Sequence, residues 1–194
     1  MRHLDISYTP EVLDKLALYV NEIIHWNKRI NLTGALDHLV FVRGPLFDAL
    51  SLIPVLKRTG TLVDIGSGGG LPGIPAAIIA PELEVTLVEP RGRRATFLRH
   101  AIWRLELGAK TLNVRDDEID SESWQAAVAQ AVWPPGEWLE RAPHLLEPGG
   151  YIYLLSSQKI DDTDFRAGMI LEQAYQTRRP LDDAPRFSAR IRIE

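Results

Sequence analysis

The residues with most chemical promise lie in one stretch, DIGSGGGLPGIP, at positions 64–75. Five glycines and two prolines in twelve residues mean that something passes so close to the backbone that side chains are excluded. A phosphate-binding P-loop needs Lys-Ser/Thr after its glycines, and none follows here. A dinucleotide fingerprint, G-x-G-x-x-G, is matched literally at 68–73. Its register is late, because the tight turn should follow the strand at once, at Gly66. S-adenosylmethionine places a nucleoside and an amino acid across the strand end, which asks for backbone approach rather than a pyrophosphate cradle. Asp64-x-Gly66-x-Gly68-x-Gly70 suits that demand, with Asp64 holding either the loop or the ligand's ammonium. Glu89 ends the next apolar run, where a carboxylate can accept from both ribose hydroxyls of either nucleoside cofactor. The spacing favours S-adenosylmethionine over a dinucleotide or a purely structural loop.

Those residues need strands and helices to hold them. Thr9-Pro10 reads as an N-cap and first helical residue. Val12, Leu13, Leu16, Val20, Ile23 and Ile24 then recur at helical spacing, predicting a helix to about Lys28. Asp37 caps a short helix that Gly44-Pro45 interrupts, and another is expected over 45–56. From Thr59 the texture alternates. Strands are predicted at 61–65, 84–88, 111–114, 126–132 and 151–155. Helices are predicted at 72–80, 91–107, 137–146 and 161–175, with a closing hairpin over 176–181 and 186–193. Repeated βα units imply an α/β fold with a mostly parallel sheet, and a ligand outside the carboxyl ends of its strands. The chain divides into a helical segment, 1–58, and a Rossmann-like domain, 59–194.

With no cysteine, disulfides, thiolate metal sites and Cys nucleophiles are excluded. His25, His38 and His100 lack metal-ligand spacing, so no metal is expected. The net charge of −4 gives no global attraction to nucleic acid, yet 17 of the 22 cationic side chains are Arg, the type suited to bidentate phosphate contact. No apolar run of membrane-spanning length and no signal-peptide core stand out, so a cytoplasmic protein that does not engage membranes is expected.

HWNKRINLTGALD (25–37) and LVDIGSGGGLPGIPAAI (62–78), continued by VTLVEPRGRRATFLRH (85–100) and LLEPGG, resemble the bacterial 16S ribosomal RNA guanine-N7 methyltransferases, also called glucose-inhibited division protein B. The resemblance is strong from 25 to 118 and weaker afterwards. It implies a class I S-adenosylmethionine-dependent methyltransferase with a seven-stranded Rossmann-like sheet and an N-terminal helical segment. It further implies S-adenosyl-L-methionine as donor and 16S rRNA or the small ribosomal subunit as partner, with a monomer expected. The family's cofactor positions fall on Gly66 and Leu71, and on Asp116 and Asp117 after Arg115.

Several positions depart from the family pattern. Val-Arg-His reads Val42-Arg43-Gly44, so Arg43 is kept as a substrate contact while His is lost. Ser-Arg-Ala after the fourth strand reads Ala129-Gln130-Ala131, so a pocket Arg has become Gln130, which is expected among the cofactor-binding residues. Lys-Gly after the fifth strand reads Ser156-Ser157, with Lys159 able to substitute only if the loop bends back; Arg186 matches the family's late Arg. Trp133 before Pro134-Pro135 lacks the polar acceptor of amino methyltransferases, which argues against adenine or cytosine amino methylation. Trp133 or Trp138 could stack on a flipped base, or both could be core; Trp26 reads as packing. No residue is expected to act as a general base, because guanine N7 is already a lone pair. The donor half of the site reads as intact and the substrate half as altered.

Overall fold

The computed structural model describes residues 4, 6, 8–119, 123–160 and 165–194. Helix α1 (Pro10–Asn27) starts as expected, with Thr9 Oγ1 accepting from the Val12 N–H and proline at the first position. Its buried face is Leu16, Tyr19, Val20, Ile23 and Ile24.

Asp37 caps α2 (His38–Phe41), but Gly44-Pro45 does not end the helix. A π-helical turn at Val42–Leu46 carries the chain through both residues into α3 (Phe47–Leu50), followed by a 3₁₀ turn at Ile53–Val55. The widened turn accommodates the missing proline N–H without a break. The resulting run, His38–Val55, is long and apolar enough to span a membrane by composition, and more than half of it is buried in this core.

The sheet has the order β3-β2-β1-β4-β5-β7-β6. Its strands are β1 (Gly60–Ile65), β2 (Leu83–Val88), β3 (Ala109–Leu112), β4 (Trp124–Ala129), β5 (Leu146–Ser156), β6 (Met169–Arg178) and β7 (Pro185–Ile193). Pairings from β3 through β5 are parallel, whereas β7 runs antiparallel to both β5 and β6. Among the described residues three α-helices lie between strands: α4 (Gly73–Ile79), α5 (Gly92–Arg104) and α6 (Pro135–Arg141), the last continued by a 3₁₀ turn at Ala142–Leu145.

The expected helix over 161–175 is overturned where the chain is described: Met169–Arg178 is a strand, and 161–164 lie outside the described residues. Ala, Glu, Gln and Leu favour a helix there in isolation, but ladder pairing with β7 from Met169 to Arg178 overrides propensity. The closing hairpin therefore begins earlier than expected, as does β5, which runs through Pro148-Gly149-Gly150 with an irregularity in its pairing to β4.

One hydrophobic cluster joins α1, α2, α3, α4 and α5 to one face of the sheet, and a second covers the other face around Trp138, Leu139 and Ala142. The topology fixes the place of any ligand. After β1 the chain turns toward β2 and β3, and after β4 toward β5, so a crevice opens between the ends of β1 and β4. Ile65 pairs with both Val88 and Ala129, which sets Gly66, Glu89 and Gln130 side by side at that mouth.

Candidate active site

A cleft of about 510 Å³ opens at this switch point, walled by Gly66, Ser67, Gly68, Gly69 and Leu71 after β1. Glu89 and Arg91 stand after β2, Gln130 to Val132 after β4, and Leu32 and Pro45 reach in from the helical segment. Gly66, Gly68 and Gly70 have φ of 68°, 55° and 95°, in the left-handed region that glycine enters without strain. At Gly66 a Cβ would lie 2.6 Å from a Val132 methyl, so the turn can pass under the β4 loop only without one. At Gly68 a Cβ would find no neighbour nearer than 3.7 Å, so that backbone faces open cleft.

Glu89 is buried, and both of its oxygens are anchored: Oε2 accepts from the Gly68 N–H at 2.9 Å and Oε1 from the Arg91 N–H at 2.8 Å. A carboxylate has about four lone-pair positions, so two remain for a ligand. Asp64 is fully buried beneath the loop and does not line the cleft. Its Oδ2 accepts from the Gly73 N–H at 3.0 Å, tying loop to α4, while Oδ1 is buried without a partner. Burial pushes the Asp64 carboxyl well above the ordinary range, against the lowering effect of the Gly73 N–H. Asp64 thus serves the loop.

The helical segment braces the same loop. Tyr19 Oη, buried, donates to the Gly69 carbonyl at 2.7 Å. Asn27 Oδ1 accepts from the N–H groups of Leu32 and Thr33, and its amide donates to the carbonyls of Thr33 and Ala35, shaping the turn that brings Leu32 against the cleft. Arg94 Nη2 donates to the Asn31 carbonyl at 2.6 Å, closing the seam between that turn and α5. Trp26 packs edge-on against Phe97, 5.7 Å between ring centres.

A second cleft, about 490 Å³, shares Gln130 and Ala131 with the first. Trp133, Ser156 and Arg186 line it, together with Asp48. Register explains the gathering. β5 ends at Ser156, which pairs with Phe187, so Arg186 stands on the edge where β4 delivers Gln130. Ala131 at the shared wall has φ 58°, an unusual conformation for a residue with a Cβ. Gln130 Oε1 is buried without a hydrogen-bond partner. Trp138 is core, its Nε1 donating to the Tyr153 carbonyl at 3.0 Å, and Trp133 stacks on it at 5.8 Å with the Arg141 guanidinium 4.9 Å from its ring centre.

Gly70, like Asp64, does not line the cleft, since its missing Cβ would run into the Ile74 side chain, and three more of the expected residues lie elsewhere. Arg43 borders an apolar groove between α1 and the π-helical turn, away from the second cleft. Asp116 and Asp117 sit on a 3₁₀ turn after β3. Asp116 bridges to Arg141 at 3.4 Å and Asp117 to Arg115 at 3.0 Å, the latter bridge holding the Asp117 carboxyl below its ordinary range. Asn113, at the base of that turn, donates to the carbonyls of Glu89 and Pro90 and joins it to the cleft rim. Sequence reasoning passed over Tyr19, Asn27, Leu32, Asp48, Arg94 and Ala131. Asn27 had a readable signal, since an Asn just before a polar turn is a ready local hydrogen-bonding hub; Ala131 had none.

Comparison with known proteins agrees with this architecture. A family model described as rRNA small subunit methyltransferase G matches residues 12–180. Ribosomal RNA small subunit methyltransferase G of an Anaeromyxobacter species is 31% identical, over 97% of this chain and 92% of its own length. The Xanthomonas euvesicatoria protein of the same name is 40% identical over 76% of this chain and 68% of its own. Among solved structures, a didemethyltoxoflavin methyltransferase from Burkholderia thailandensis, with S-adenosylhomocysteine bound, superposes with a TM-score of 0.59 at 14% identity, covering 97% of this chain and 91% of that one. TrmN from Thermus thermophilus gives 0.56 at 16% identity, covering 75% and 49%. The sheet order and these neighbours are those of class I methyltransferases. With a family match over most of its length and relatives above 30% identity, the chain belongs to the rRNA small subunit methyltransferase G family.

Proposed function

We propose that this protein transfers the methyl group of S-adenosylmethionine to N7 of a guanine in 16S rRNA, acting in the cytoplasm on that RNA or on the small ribosomal subunit. The observation that carries the reading is the shared wall. Gln130 and Ala131 belong both to the glycine-walled cleft and to the cleft of Trp133, Ser156 and Arg186, so a donor and an acceptor can meet across one residue pair.

A nucleoside joined to an amino acid fits the first cleft. Gly66 to Gly69 and Leu71 offer backbone at close approach, and Glu89 keeps acceptor capacity for a sugar edge after its two backbone contacts. Bound there, S-adenosylmethionine supplies an electrophilic methyl group on a cationic sulfur. Guanine N7 already carries a lone pair, so no proton has to be removed and the chain needs no general base. Its residues have three tasks: to align N7 with the methyl carbon, to exclude water, and to hold the RNA. Leu32, Pro45 and Val132 supply the dry wall. Arg186 and Trp133 offer a hydrogen-bond donor for phosphate and a stacking surface in the second cleft.

Gln130 and Ser156 stand in that same cleft at positions where the family pattern reads Arg and Lys. This placement favours weaker RNA engagement than is usual for the family, leaving two readings open to test: an altered substrate, or donor binding without transfer. The deciding measurement is transfer of tritiated methyl groups to 16S rRNA from cells lacking the modification, with nucleoside analysis of the product. Label in N7-methylguanosine is expected. Label in another nucleoside means another substrate, and donor binding by calorimetry without any transfer means a non-catalytic homologue.

A further inference from the structure

We infer that Asp48 is a positioning residue for Arg186, holding its guanidinium as a phosphate-directed fork on the RNA side of the site. The inference rests on the reading of the second cleft given under Proposed function.

Asp48 Oδ1 accepts from Arg186 Nε at 2.7 Å, and Arg186 Nη1 donates to the Pro185 carbonyl at 2.7 Å. A guanidinium has five N–H donors, so these contacts fix its plane and leave three without a partner among the described residues. Both residues line the second cleft. The other Asp48 oxygen accepts from Arg179 Nη1 at 3.1 Å, and Arg179 in turn bridges to Asp182. Asp48 therefore divides its charge between two arginines, so Arg186 keeps part of its own for a phosphate. The side chains of Asp48, Arg179 and Arg186 are no more than 20% exposed, which limits screening by solvent.

Docking of the helical segment onto the hairpin does not by itself explain the pair. Ser188 Oγ already donates to the Ser51 carbonyl at 2.7 Å, and Arg190 Nη1 to the Val55 carbonyl at 3.1 Å, tying the same elements together. What Asp48 adds is orientation at the cleft.

The sign of one substitution separates orientation from plain charge. Asp48→Asn removes a negative charge from a cleft read as binding RNA, so a field argument alone predicts tighter binding. Positioning predicts the reverse. The experiment measures steady-state methylation of unmodified 16S rRNA and binding of the same RNA across a salt series. Asp48→Asn is expected to raise KM for RNA about tenfold with kcat within about twofold. Its log–log salt slope should flatten by about 0.7–0.9, the share of one lost phosphate contact. The affinity for S-adenosylmethionine should stay as it was. In an Arg186→Met background, Asp48→Asn should cause no further rise, and Asp48→Glu in the unmodified background should recover part of the loss.

An unchanged or lower KM in Asp48→Asn, or additivity with Arg186→Met, overturns the inference alone. Absence of transfer to RNA by the unmodified protein overturns both the inference and the proposed function. If Asp48→Asn melts too early to assay, Asp48→Glu puts the same question in the unmodified background, because it keeps the charge and shifts the carboxylate by one methylene, so a field argument alone predicts no change. A two- to fivefold rise in KM is then expected, and no rise overturns the inference.

Discussion

The two clefts meet at Gln130 and Ala131 yet are built from different materials. On the donor side the walls are backbone: glycines in left-handed conformations, a loop tied by Asp64, Tyr19 and Glu89, and little room for added atoms. In the second cleft the walls are largely side chains, among them Asp48 and Arg186, held by an ion pair, and Trp133, with the Arg141 guanidinium over its ring. A backbone wall tolerates almost no change in sequence, since any Cβ collides or strains. A side-chain wall can exchange Arg for Gln or Lys for Ser and keep its fold while its affinity shifts. That difference separates the glycine loop from Asp64 to Pro75, whose residue types its backbone conformation restricts, from Gln130 and Ser156, whose side chains can change without disturbing the fold.

The strongest way to break the contrast is to place one methyl group behind the backbone wall, at the start of α4. A Cβ on Gly73 would collide with a Leu87 methyl and lie 2.8 Å from Asp64 Oδ2, two groups buried with no space to yield. Gly73→Ala is expected to lower stability by about 3 kcal/mol through overpacking. The melting temperature should fall by roughly 6–12 °C, and binding of S-adenosylmethionine should be lost with the loop. A variant that melts normally and binds the donor would show that the loop can move, and the rigid-wall account would fall.

The opposite test rebuilds the side-chain wall. Gln130→Arg with Ser156→Lys places two cations in the second cleft, each worth about 1.5–3 kcal/mol in a charge-assisted contact. Methylation of 16S rRNA, measured as kcat/KM, is expected to rise about 10²-fold or more, with donor affinity within about twofold. Equal rates for the double variant and the parent would mean that these positions do not contact RNA.

How far each wall was legible in the sequence follows from the same contrast. The glycine loop was legible because the backbone conformation it needs admits few residue types, so the types themselves report the geometry. Helix α1 and strands β1 and β2 were legible from apolar spacing that one packed face must obey. Strand β6 was not, because its residues favour a helix and only its ladder with β7 decides the matter. The partnership of Asp48 with Arg186 was not legible either, since 138 positions separate them and only the β7 register brings them together. Arg43 illustrates the limit from the other side: motif position suggested the RNA wall, and helix phase turns it toward a different groove.

Between these extremes lies Glu89, whose carboxylate belongs to the donor cleft but whose hydrogen bonds hold the wall itself. Glu89→Gln keeps the shape and one acceptor while removing the charge and placing an NH₂ against a backbone N–H. Donor affinity by calorimetry should weaken about 10–100-fold, equivalent to roughly 1.5–3 kcal/mol, with a smaller loss of stability. If affinity is unchanged, the sugar edge is not read by this carboxylate, and the fit of the nucleoside to the cleft has to be redrawn.

The smallest effect is expected at the junction, where the two building materials meet. Ala131 holds φ 58° at the wall common to both clefts, a conformation that costs a residue with a Cβ about 1–2 kcal/mol. Ala131→Gly relieves that strain but adds about 0.5–1 kcal/mol of backbone entropy to be lost on folding. The melting temperature should therefore stay the same or rise slightly. Turnover should instead fall by a few fold, because a freer bend lets Gln130 wander between donor and RNA and loosens the alignment on which transfer depends. Stability and activity moving in opposite directions would mark Ala131 as a hinge kept under strain for catalysis. If both rise together, its conformation is a by-product of the way the β4 loop passes over Gly66.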